Sequence, residues 1–238
     1  MNWSRIGLAL ALPLLLSSCI LTPGRFTSTL DIKADRSFAF AYVGEVIRIA
    51  PDSDMASTIA DAAAAEEERE DEASEFLDVK EEKAPKEESR TDRMKGEAIA
   101  EALGKEVGYR SVEYLGNNKF RVDYAMSGRL DRAFIYPLNA DAEAIMPWIA
   151  IEVRKDGTVR VKAPAFGEDS DNAGNSGAGA MKEAGAEREG SFTLTTDAEL
   201  VMHNNEEGMF PGPGKKVVVW KVTPTSKIVP TAVIRFAN

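Results

Sequence analysis

Cysteine is nearly absent from this chain. One residue, Cys19, stands in 238, which excludes an internal disulfide framework and any cysteine-rich metal site. Histidine is equally scarce: His203 is the only one, so a Ser/His/Asp triad would have to use it as its base. Basic charge is in deficit, with 29 Lys and Arg against 39 Asp and Glu and a formal net charge of −10. That balance argues against nucleic acid as a partner, because affinity for phosphate backbones needs clustered cations. It argues equally against electrostatic docking to anionic headgroups. Long apolar runs are missing too. The uncharged, Leu-rich run Ile6 to Leu16 covers about half of a bilayer core at about 1.5 Å per residue, too little for a stable membrane-spanning helix. What the chain does have is 44% hydrophobic residues, enough for a packed core.

The first nineteen residues follow the order of a secretory leader. Met1 to Arg5 is a short basic start, Ile6 to Leu16 a Leu-rich apolar run, and Ser17-Ser18 a small-residue close. Leu16-Ser17-Ser18-Cys19 resembles a lipobox, which implies removal of residues 1–18, thioether attachment of diacylglycerol to Cys19 and acylation of the new N-terminus (palmitate being one such chain). The alternative is an ordinary leader with an incidental cysteine. Two facts favour the lipobox: this is the only cysteine, and it stands at the cut site, where a free thiol would be a liability in an oxidising compartment. Each buried acyl methylene contributes about 0.8 kcal/mol, and one chain alone holds only marginally, so several chains make a lasting anchor. Ile20 follows the cysteine. By resemblance to lipoprotein sorting in bacteria with two membranes, the lack of Asp there implies the periplasmic face of the outer membrane.

Residues 19–238 read as one discontinuous ectodomain. Phe26, Ser28, Leu30 and Ile32 alternate with polar residues, Ala34 to Ser37 is a polar turn, and Phe38, Phe40 and Tyr42 resume the alternation, giving a hairpin over Arg25 to Ile49. The stretch 51–93 is an acidic insertion, helical or disordered. Between Asp61 and Lys83 it carries eleven acids and three bases, most of the mature charge of −11. Its functional reading is a docking segment for a basic envelope protein or for divalent cations. Ile99, Leu103 and Val107 give a helical stripe over Met94 to Val107, stopped by Gly108. Val112 to Met126 reads as a second hairpin, turning at Leu115 to Asn118, and Arg129 to Leu138 continues as strand. Ile149 to Ala163 is a third hairpin, tipped by Asp156-Gly157. A Gly-rich flexible loop is expected over 167–190, and strands over Phe192 to Met202, Lys216 to Thr223 and Ile228 to Phe236. The pattern predicts an α+β fold: a mainly antiparallel β-sheet of hairpins packed against one or two helices.

In this order the segments resemble the LppM family of bacterial lipoproteins. The resemblance rests on the lipobox cysteine followed at once by a hairpin, on a helix leading through Gly108-Tyr109 into the strand Phe120 to Tyr124, and on the Asp-Gly hairpin of Trp148 to Ala163. It continues through the strand Leu194 to Met202, the loop His203 to Gly208, the Val-rich strand ending in Trp220, and the last strand, Thr231 to Phe236. It implies an α+β ectodomain on a lipid anchor, suspected of binding a membrane glycolipid or phospholipid, and it implies no reaction.

Motifs for chemistry are thin. His203 has no Gly-x-Ser-x-Gly elbow to accompany it. Asp169 and Asp171 start a calcium-loop pattern, but Ala173 and Ala180 stand where ligands belong. Pro211 to Lys216 lacks the spacing of a phosphate-binding loop. No enzyme activity, cofactor or metal is expected. Phe120, Tyr124, Met126, Trp148 and Trp220 remain as candidates to line a lipid pocket, with ordinary core as the competing reading.

Overall fold

The structure is a computed structural model that describes residues 20–49, 88–137, 147–167 and 186–236. Leu16, Ser17, Ser18 and Cys19 lie outside them, as do most of the acidic insertion and most of the Gly-rich loop.

Strict alternation builds the first layer. In β1 (Ile20–Ile32) the side chains of Phe26, Ser28, Leu30 and Ile32 are buried, while Thr27 and Thr29 face solvent. β2 (Ser37–Ile49) answers with Phe38, Phe40 and Tyr42 on the same face. β3 (Tyr109–Gly116) and β4 (Lys119–Arg129) form the next hairpin, turning through Asn117 and Asn118, both at positive φ, where Asn is among the best-tolerated residues. β8 (Glu189–Thr196), β10 (Phe210–Gly212) and β11 (Lys215–Val222) complete a seven-stranded sheet in the order β10-β11-β8-β1-β2-β4-β3. All its pairings are antiparallel except β1 with β8.

A second sheet of five strands, in the order β5-β6-β7-β12-β9, packs on the apolar face of the first. It comprises β5 (Phe134–Tyr136), β6 (Ile149–Val153), β7 (Thr158–Lys162), β9 (Glu199–His203) and β12 (Thr231–Arg235). Aromatic rings fill the space between the layers: Phe40 meets Tyr136 at 5.1 Å between centroids, Tyr42 meets Trp148 at 5.2 Å, and Phe26 stacks on Phe166 at 4.4 Å. Pairs in this range add to plain area burial. The α+β class with mainly antiparallel hairpins stands, and the sequence pattern did not divide the strands between two sheets.

Several boundaries differ from the sequence reading: β1 starts at Ile20 rather than Arg25, the helix ends at Leu103 rather than Val107, and the last strand starts at Thr231 rather than Ile228. Phe192 to Met202 is two strands rather than one: β8 ends at Thr196, and the chain crosses at Asp197-Ala198 into β9 of the other sheet. Thr196 Oγ1 accepts the Ala198 N–H at the corner, and Asp197 accepts the Ala34 N–H. Burial of Phe192, Leu194, Thr196 and Ala198 keeps period two through the corner, so alternation does not reveal the switch. Within Arg129 to Leu138, only Phe134–Tyr136 is a separate strand. The helix α1 spans Arg90–Leu103, starting four residues early because Ser89 caps it, its hydroxyl accepting the Asp92 N–H. Its buried residues are Gly96 and Ala100, whereas Val107 is 81% exposed. The helix sits on β3 by presenting backbone: a Cβ on Gly96 would collide with the Tyr114 ring. A stripe counted from large apolar residues misses such a face.

Candidate functional site

Where β9 ends, two asparagines tie three segments together. The Asn204 Oδ1 accepts the Trp220 indole N–H at 3.2 Å and the Thr231 N–H at 2.9 Å, while its Nδ2 donates to the Val229 carbonyl at 2.7 Å. Asn205 Nδ2 donates to the Val219 carbonyl at 2.7 Å, linking the end of β9 to β11. Beside this knot lies a cleft of about 200 Å³, open to solvent on one side. Trp220, Phe166, Ile228 and Pro230 give it apolar wall, and Asn204, Ser226, Glu206 and Lys227 give it polar rim. Trp220 is held flat on Phe192, 18° from parallel at 5.5 Å, so its position is set by the core. Lys221 is occupied by Glu207 at 3.0 Å. Asn205 Oδ1 is buried without a hydrogen-bond partner.

Of the five residues expected to line a pocket, the structure brings only Trp220 to this cleft. Phe120 packs on Tyr114 at 5.0 Å, and Tyr124 contacts Tyr136 at 4.4 Å and Tyr109 at 5.0 Å. Trp148 lies against Tyr42 and donates its indole N–H to the Leu21 carbonyl at 3.0 Å. Met126 is half-buried on β4. These four are spent on packing. Sequence reasoning passed over Asn204, Asn205, Phe166, Ile228 and Pro230 as lining residues. The Asn pair stood out only as part of a loop, and Phe166 and Ile228 are brought together by tertiary structure with no local signal.

His203 adjoins the cleft, and its Nδ1 accepts the Asn205 N–H at 3.3 Å, so that nitrogen's lone pair is engaged by backbone. Tyr42 and Tyr136 are buried phenols, and Tyr109 is half-buried beside them. Burial pushes the Tyr109 hydroxyl up to about 12 and raises Tyr42 and Tyr136 well above their ordinary range, so all three are neutral hydrogen-bonding groups at physiological pH. Among the described residues no group of three or more His, Cys, Asp or Glu side chains is placed to hold a metal ion.

A second polar feature lies at a β-bulge in β1. The register shifts between Pro23 and Phe26, so Gly24 and Arg25 share the space opposite Glu45. Arg25 reaches Glu45 at 2.7 Å, and the Tyr42 hydroxyl donates to the Glu45 carbonyl at 2.7 Å. The Arg25 hydrogen bond, partly offset by burial, holds the Glu45 carboxyl below its ordinary value. A lowered carboxyl contributes stability above the unfolded-state value, which is lost as pH falls through the folded-state value. Arg25→Ala is therefore expected to lower Tm at neutral pH, with the gap to the parent closing below about pH 4. Thermal melts across pH 3–8 check this; a gap independent of pH would refute it.

Among solved structures, the NMR structure of the folded domain of the Mycobacterium tuberculosis LppM protein aligns with 91% of this chain and 92% of that one. The identity is 14% and the TM-score 0.33, so the likeness is remote in sequence and in superposition. No family model and no curated protein matches the chain.

Proposed function

We propose that this chain is a bacterial lipoprotein, acylated at Cys19 and held on the periplasmic face of the outer membrane, whose ectodomain binds a ligand and performs no catalysis. One observation carries the reading. It is the order of Leu16-Ser17-Ser18-Cys19 after a basic start and a Leu-rich apolar run, with Cys19 the one cysteine in the chain.

The binding part of the proposal rests on the cleft at Trp220. Ligand sites are concave, mostly apolar and furnished with a few oriented polar groups, and they run to about 300–1,000 Å³ for drug-sized molecules. At about 200 Å³, with one indole face and a rim of Asn, Ser, Lys and Glu, the cleft suits the polar head of a membrane lipid better than a whole acyl chain. The rings between the sheets already touch, which argues against an acyl chain lying there.

Anchoring is tested on the sulfur. Intact mass of the membrane-extracted protein is expected to show diacylglycerol and a third acyl group on Cys19, and Cys19→Ala is expected to move the chain to the soluble fraction. A Cys19→Ala protein that fractionates like the parent would refute the proposal.

A further inference from the structure

Two devices hold the lining of the Trp220 cleft in place. Asn204 bridges the Trp220 indole, the Thr231 N–H and the Val229 carbonyl. The turn after β11 closes on itself: the Ser226 hydroxyl accepts the Thr223 N–H at 2.9 Å, and the Ser226 N–H donates to the Thr223 carbonyl at 3.1 Å. Ile228 stays 43% exposed beside them, apolar surface still open to a guest. Walls fixed in advance reduce the ordering that binding must otherwise impose.

The polar groups divide into those engaged and those left over. Asn204 uses its oxygen twice and its nitrogen once, the Asn205 nitrogen is given to the Val219 carbonyl, and Lys221 is paired with Glu207. Among the described residues that line the cleft, Glu206 and Lys227 keep their capacity. Both are exposed, and neither side chain is hydrogen-bonded or ion-paired, to the other or to anything else. Asn205 adds a third unused group, an Oδ1 buried without a donor.

These leftovers define a guest by complement. Glu206 asks for an ammonium donor, and the Asn205 oxygen makes its neighbourhood more negative. Lys227 asks for an anionic oxygen. Hydrogen bonds with an ionised partner are about twice as strong as neutral ones. A lone anion would face Glu206 and a lone cation would face Lys227, so a guest of either sign alone is opposed. The charged residues of the lining, Glu206, Glu207, Lys221 and Lys227, cancel, which suits a guest that is neutral overall and carries both signs. Among lipid headgroups that pair an ammonium with a phosphate, the primary amine keeps N–H donors, whereas a quaternary amine has none. Two carbons between the ammonium and the phosphate make a group small enough for a cleft of about 200 Å³.

We infer that the cleft takes a phosphoethanolamine group, with its ammonium at Glu206 and its phosphate at Lys227. The inference rests on the reading of this cleft as a headgroup site. The same group occurs free and at the head of a lipid.

The test titrates the acylated full-length protein, in non-ionic detergent, with free phosphoethanolamine and with dihexanoyl phosphatidylethanolamine. The phosphocholine form of each is the comparison, and glycerophosphoglycerol is the anionic control. Trp3 leaves with the leader, so Trp148 and Trp220 supply the remaining indole N–H resonances. Trp220 is expected to shift and Trp148 to stay. Each ethanolamine form is expected to bind about ten-fold more tightly than its choline counterpart. Glu206→Gln is expected to erase that preference, and Lys227→Gln to weaken the ethanolamine forms about ten-fold. Tighter binding of the lipid than of the free compound upholds the inference with a membrane source, and equal binding upholds it with a soluble one. Equal affinity for ethanolamine and choline forms, affinities unchanged in both variants, or binding of glycerophosphoglycerol alone overturns the inference and leaves a headgroup site standing. A Trp220 resonance that no probe moves overturns the headgroup site and the inference together.

Discussion

Gly190→Ala is expected to destabilise the ectodomain by about 3 kcal/mol or more, the cost of overpacking where nothing can yield. Gly190 in β8 lies beside Phe26 of β1, and a Cβ there would sit 2.9 Å from the Phe26 carbonyl carbon and closer still to its oxygen. These are backbone atoms inside the ladder, so no rotamer change relieves the clash. On the opposite side of Phe26 is Gly44, where a Cβ would stand 2.5 Å from the Arg25 carbonyl oxygen and 2.6 Å from the Phe26 Cα. Phe26 therefore has glycine on both flanks, in the row where the bulge ends and β8 begins. Gly44→Ala is expected to cost a similar amount, whereas Gly212→Ala, where the nearest heavy atom is 3.5 Å away, is expected to cost little. Chemical denaturation followed by tryptophan fluorescence measures all three; a Gly190→Ala midpoint equal to that of Gly212→Ala would contradict the packing described.

Asn204→Ala is the other large effect, expected at about 2–4 kcal/mol. The substitution strips the acceptor from two donors, the Trp220 indole N–H and the Thr231 N–H, and the donor from the Val229 carbonyl. Leaving half-buried donors unpaired costs more than the hydrogen bonds themselves contribute. Asn205→Ala removes one bond, to the Val219 carbonyl, and also removes an Oδ1 that is buried without a partner, so it is expected to cost about 1 kcal/mol or less. Unfolding curves give the ranking, and equal costs for the two asparagines would refute it. The comparison also bears on the cleft, because Asn204 positions the Trp220 edge that forms its wall.

Period two was the legible part of the fold. Every hairpin whose strands alternate cleanly, from Phe26–Ile32 with Phe38–Tyr42 to Ile149–Val153 with Val159–Val161, is present in the structure. Illegible was the partition into layers, because residues facing the other sheet and residues facing a helix are equally apolar. The same ambiguity hid the identity of the lining residues. Phe120, Tyr124 and Trp148 have the size and alternation of pocket walls, yet they pack on Tyr114, Tyr136 and Tyr42 as core. Only tertiary placement separates them from Trp220, whose edge reaches the surface through an asparagine sixteen residues away in sequence. Glycine was the other silent class. Gly96 in the helix and Gly190 at the start of β8 carry no hydrophobic signal, and both are required by the close approach of another segment.

The parallel pairing of β1 with β8 also sets an order of assembly. β1, β2, β4 and β3 are near in sequence and zip together as antiparallel neighbours, but the other edge of β1 waits for a strand more than 150 residues further on. Pairings of such long range are slow to form, because loop closure precedes the contacts that reward it. A chain synthesised N-terminus first thus holds a half-sheet with one bare, apolar-faced edge until its last third arrives. During that interval the unpaired edge is where association with other chains would start.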